Sequence, residues 1–150
     1  MLDDIFNVSE ISVSYKPDFK ISSRPKISTS KNSEAIFRKH WFNDLNLYES
    51  SLLLLLNNGN NVLGLVKIGM GGVDCCPMDI YKILQIALKC NATGIILAHN
   101  HPGGTLRPSP ADITLTEKIF LGAKMINIRL LDHLILTEDS YFSFADEGLL

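Results

Sequence analysis

The apolar run at residues 94–98, GIILA, is cut off by the string HNHPGG, and this junction narrows the possible folds of the chain more than any other stretch. A short run without polar interruption reads as a strand buried on both faces, and Pro102, Gly103 and Gly104 stop its continuation. In an extended segment residues i and i+2 point to the same side, so His99 and His101 aim their imidazoles at one point. Two neutral nitrogens converging there suit a divalent metal. Eleven residues after His101 comes Asp112, and Ser109-Pro110-Ala111-Asp112 has the form of a helix start, with Ser as N-cap, Pro at the first helical position and an acid at the third. Asp112 then sits in the first turn and faces whatever precedes the helix. Two histidines and a carboxylate leave the fourth tetrahedral position of a zinc ion for water, the mark of a catalytic rather than a structural site.

These residues resemble a family. The pattern H-x-H-P, six residues, then S-x-x-D is similar to that of the JAMM (MPN+) zinc metalloproteases, which include deubiquitinating isopeptidases. The longer wording AHNHPGG and PSPAD, followed by LDHLIL and YFSFADEGLL, resembles the RadC branch of that superfamily, labelled historically as DNA repair proteins. The likeness runs from about Glu49 to the C-terminus. It implies an α/β (α+β) fold, a curved mixed β-sheet flanked by helices with cytidine-deaminase-like layering. It also implies a zinc-dependent hydrolase that cleaves an amide bond in a protein or peptide substrate, with one zinc per chain on His99, His101 and Asp112.

A zinc hydrolase needs a proton acceptor near the activated water. In the JAMM pattern a Glu precedes an apolar strand upstream of the histidines, and Glu49 in ESSLLLL matches that context, with Asp74 and Glu117 as rival carboxylates. The resemblance gives Ser109 a hydrogen bond to the tetrahedral oxyanion. His133, in LDHLIL, is either a support behind the site or an ordinary core or surface histidine. On a strand Asp132 and His133 point to opposite faces, so only one of them can face the site.

Charge bears on the competing reading, a role on or near nucleic acid. The net charge of -2 offers no global attraction for a polyanion, so contact would need a local patch. The candidate is the arm at 16–31, with Lys16, Lys20, Arg24, Lys26 and Lys31, which also reads as a solvated segment. The signatures H-E-x-x-H, H-x-E with P-C-x-x-C, and G-x-G-x-x-G are missing from the sequence, which argues against other zinc hydrolases, deaminases and dinucleotide binding. The odd cysteine count, with Cys75 and Cys76 adjacent, does not make a disulfide framework and suits a reducing cytoplasm. No apolar run is long enough to span a membrane, and no secretion signal is read at the start.

Elsewhere the alternation at 8–16 predicts a strand, and the division expected is an N-terminal strand and basic arm at 1–33 followed by the RadC-like JAMM domain at 34–150. Ser30, Ser33 and Glu34 open a helix through Phe37 and Trp41. Residues 47–56 and 62–68 form a hairpin about an Asn/Gly turn, and 69–76 form a glycine-rich loop. Pro77 and Asp79 open a second helix that ends at Cys90. The helix after Ser109 presents Ile113, Phe120 and Ala123 on one flank and Leu115 and Ile119 on the next. Strand residues follow within 126–137 and again at 141–144.

Overall fold

The structure, a computed structural model, describes residues 9–12, 14–16, 20–72 and 78–150. The Asp74 alternative, the Cys75–Cys76 pair and the helix-opening role of Pro77 lie outside the described residues.

Helix α1 (Ser30–His40) precedes the hairpin β1 (Ser50–Leu56) and β2 (Val62–Met70); α2 (Ile80–Lys89), β3 (Gly94–Asn100), α3 (Pro110–Met125), β4 (Arg129–Leu136) and β5 (Tyr141–Ser143) follow. The strands form one sheet in the order β2-β1-β3-β4-β5. Only the β3–β4 pair is parallel, and α3 is the crossover that a parallel pair requires. The sheet is therefore mixed and helix-flanked, as the sequence implies.

Strand alternation divides the core into two. Leu53, Leu55, Ile95 and Leu97 pack with Ile83 and Ala87 of α2 and Ile119 and Ala123 of α3. Leu52, Leu54, Leu56, Ile96 and Ala98 pack on the other face with Phe37 of α1. β1 and β3 are buried on both faces, which is why they read as unbroken apolar runs. Each leucine buried there contributes roughly 1.5–3 kcal/mol relative to exposure.

The hairpin turn forms as expected: Asn57 Oδ1 accepts from Gly59 N and Asn61 N, and Asn60 takes a positive φ of 58°. α2 starts on Asp79, whose carboxylate accepts from Tyr81 N, and closes on Cys90.

Three expectations change. None of the described residues within 8–16 is in a strand; Ile11 is 87% exposed, and the Tyr15 hydroxyl donates to the Leu63 carbonyl. Alternation alone makes no strand unless its backbone pairs with a neighbour's. α1 is capped one residue earlier than expected, by Thr29 with Asn32 in a reciprocal box. α3 buries Thr116, Ile119 and Ala123, while Ile113 is left 48% exposed.

The end of the basic arm joins the fold. Ile27 N donates to Asn60 O, Val62 N donates to Pro25 O, and the Ile27 side chain enters the α1-side core.

Candidate metal centre

β3 delivers His99 at its last turn of pleat and His101 just past its end, both directed to the α2–α3 side. His99 is 1% exposed, while His101 and Asp112 each keep 14% of their side chains in contact with solvent. α3 begins beside them. Ser109 caps it: its Oγ accepts from Asp112 N at 3.1 Å, while its own N–H and O–H each donate to Asp112 Oδ2 at 2.7 Å. This reciprocal box fixes the Asp112 carboxylate, and the helix N-terminus favours its negative charge.

The three side chains meet. His99 Nε2 lies 3.0 Å from His101 Nε2 and 3.2 Å from Asp112 Oδ1, and His101 Nε2 lies 3.5 Å from Asp112 Oδ2. Ligand atoms about 2.0–2.2 Å from a tetrahedral centre stand roughly 3.3–3.6 Å from one another, so the spacing suits an ion of zinc's size. Among the described residues, this is the one group of three or more His, Cys, Asp or Glu side chains able to hold a metal. Its chemistry also asks for a cation. His101 Nδ1 donates to Thr105 O at 2.7 Å, which leaves Nε2 with a lone pair aimed at His99 and at a carboxylate.

The electrostatics agree. The hydrogen bond to Asp112 raises the His101 pKa against the opposing effect of burial, with smaller contributions from Thr105 and from the charges of Asp112 and Glu49. Burial pushes the Asp112 carboxyl up, yet its contacts with His101, His99 and Ser109 together hold it far below the usual carboxylate range.

Glu49 approaches from the other side of β3. β1 runs antiparallel to β3 with Ser51 opposite His99, and continuing that register brings Glu49 across from His101. Its backbone prolongs the hairpin: Glu49 N donates to Gly72 O at 3.0 Å and Gly71 N donates to Glu49 O at 2.8 Å. The rival Glu117 is exposed on α3.

Asn100, between the two histidines, was given no role by sequence reasoning. It points the opposite way and is fully buried. Its Oδ1 accepts from Ser50 N at 2.7 Å, and its Nδ2 donates to Leu45 O and Tyr48 O at 2.8 and 2.9 Å. The strand that carries the histidines thereby also grips the backbone on both sides of Glu49.

His133 faces the site and Asp132 faces away. The β3–β4 register is Ile95↔Leu130 but Ile96↔Asp132, so β4 has one extra residue at Leu131. This bulge reverses the faces beyond it. His133 is wholly buried, with Nε2 2.8 Å from His99 Nδ1, Nδ1 2.7 Å from Thr116 Oγ1, and its ring stacked 5.0 Å from Phe144. Burial and then the neighbouring His99 keep its pKa well below the ordinary histidine value. Thr116 had no motif to mark it; its signal was a polar residue one helical turn after Asp112 on the same face. His40 is exposed and stands apart from this group.

Comparison with known proteins adds a family. The model of the RadC-like JAB domain matches residues 27–149. Similar proteins include UPF0758 proteins of Flavobacterium johnsoniae, 41% identical over 68% of this chain and 44% of the relative, and of Porphyromonas gingivalis, 46% identical over 68% and 45%. A UPF0758 protein of Aquifex aeolicus is 38% identical over 85% of this chain and 54% of its own length. The chain spans about half the length of the curated relatives it matches. Among the described residues no helix is long and apolar enough to cross a membrane.

Proposed function

Because the chain belongs to the RadC-like JAB domain family, and its centre gathers two imidazoles and a carboxylate around one point, we propose that it is a zinc-dependent hydrolase that cleaves an amide bond in a peptide or isopeptide. The observation that carries this reading is the ligand triangle with an accessible side: His101 and Asp112 are partly open to solvent, while His99 is sealed. A catalytic ion needs such an open position, and a structural one does not.

In this reading His99, His101 and Asp112 hold the ion. When bound, it supplies Lewis-acid polarisation of the scissile carbonyl and lowers the pKa of water. Glu49 takes the proton from the attacking water and later delivers it to the leaving amine. Support for that role is its position across the sheet from His101 and the effect of its charge there. Ser109 first holds Asp112. For its hydroxyl to donate to an oxyanion, the O–H must turn away from Asp112 Oδ2.

The deciding experiment is metal content by elemental analysis, followed by a screen of peptide and isopeptide substrates with Glu49→Gln as the inactive control. Bound zinc and Glu49-dependent cleavage support the proposal; zinc without cleavage of any amide substrate counts against it. The nucleic-acid alternative rests on Lys16, Lys20, Lys26 and Lys31, all exposed. It requires DNA affinity that falls with salt and disappears when these residues and Arg24 are neutralised. The protein is proposed to act in the cytoplasm.

A further inference from the structure

His99 can serve as a ligand through Nε2 only if its proton is on Nδ1, and nothing in the ligand triangle decides this. Its Nδ1 meets the Nε2 of another histidine, a contact that works with the proton on either ring. The decision is made further back. The Thr116 hydroxyl lies 2.6 Å from the backbone carbonyl of Asp112 and 2.7 Å from His133 Nδ1. A carbonyl oxygen can only accept, so the hydroxyl hydrogen goes to Asp112 O. The Thr116 oxygen is then an acceptor, and His133 must carry its proton on Nδ1.

The assignment propagates. A buried neutral His133 with its proton on Nδ1 has a lone pair on Nε2, so His99 must donate from Nδ1. His99 Nε2 is left bare, facing His101 Nε2 and Asp112 Oδ1. We propose that Thr116 and His133 are positioning residues, a hydrogen-bond relay that fixes the tautomer and ring orientation of His99 for metal binding. The relay starts and ends on Asp112: its backbone carbonyl sets the donor direction, and its carboxylate is a ligand. Seating α3 therefore presents one ligand and prepares a second in the same step.

The relay also explains why a threonine takes a core position of α3 between Asp112 and Ile119, and why β4 carries its bulge where it does. Phe144 stacks on one face of the His133 ring and helps hold its plane. This inference rests on the metal-centre reading but not on the identity of the substrate.

The test uses the full chain and zinc alone. Zinc affinity is measured by competition with a chromogenic chelator for the parent, Thr116→Val and Thr116→Ser, beside their melting temperatures and the visible spectra of the Co2+-loaded proteins. Loss of such an outer support typically weakens metal binding about 10- to 100-fold. Thr116→Val is expected to show that loss with an altered Co2+ spectrum, and Thr116→Ser to recover the parent affinity because it keeps the hydroxyl. Imidazole 15N shifts of the zinc-loaded parent should show protons on His133 Nδ1 and His99 Nδ1; this measurement decides the matter by itself if Thr116→Val does not fold. Parent-like zinc affinity in a folded Thr116→Val, or a proton on His133 Nε2, overturns the relay and leaves the centre standing. A parent chain that takes up no zinc overturns both.

Discussion

His99 and His101 are two residues apart on one strand and point at the same place, yet they are held by different means. His99 is sealed in the core, and its back nitrogen leads through His133 and Thr116 into α3. His101 is partly open, and its back nitrogen ends on a loop carbonyl, Thr105 O. The inner half of the centre is thus held by packed elements and side chains, and the outer half by a loop and a helix cap. The difference teaches where rigidity is needed in the proposed reading: the sealed side would fix an ion, while the open side would admit a substrate and let groups turn.

The largest effects ignore this division. His99→Ala and Asp112→Ala each remove one of three ligands, so both should reduce zinc from about one per chain to almost none, as read by elemental analysis. Glu49→Gln should separate holding from reacting: zinc content stays at the parent level while amide hydrolysis falls about 10²- to 10⁴-fold, the usual worth of a general base. Asn100→Ala leaves Ser50 N, Leu45 O and Tyr48 O without their partner, at about 1–3 kcal/mol for each buried group that water cannot reach, and urea unfolding measures the loss. Ser109→Ala acts on the outer half alone and should cost about 1 kcal/mol, the typical value of an N-cap.

The subtlest separation is by pH in the chelated, metal-free protein, where the halves titrate in opposite senses. His133 has a depressed folded pKa, so the unfolded chain binds a proton that the native state refuses; its contribution is present above the ordinary histidine value of 6.5 and is lost as pH falls below it. His101 has a raised folded pKa, so its contribution is complete below 6.5 and is lost as pH rises through the folded value. Urea midpoints between about pH 5 and pH 8 should lose their acid-side decline in His133→Gln and their alkaline-side decline in His101→Gln. Parallel profiles for the two variants would remove the distinction between the halves.

The outer half was largely legible in the sequence because it is local. H-x-H on a strand and S-P-x-D at a helix start each state their geometry within four residues, and the Asn/Gly turn does the same for the hairpin. What lies behind His99 in the inner half was not, for two physical reasons. The facing of His133 depends on a one-residue bulge at Leu131, and strict alternation from the buried Leu130 would have turned Asp132 inward instead. The buried stripe of α3 includes Thr116, so counting apolar positions found Ile119 and Ala123 but placed the exposed Ile113 beside Ala123 and passed over the threonine. At the N-terminus the error ran the other way: a plausible period suggested a strand at 8–16, and the described residues there pair with none.

The grip of Asn100 has a consequence for how the molecule tolerates change in length. Measured along β3, the two histidines and Glu49 share one ruler, because the residue between the histidines also pins the chain at Leu45, Tyr48 and Ser50. An insertion between the end of α1 and Leu45 would disturb the packing of Trp41 and Phe42 and the bond from Asn43 to Ser50. One between Tyr48 and Ser50 would shift the Glu49 carboxylate against a fixed mark.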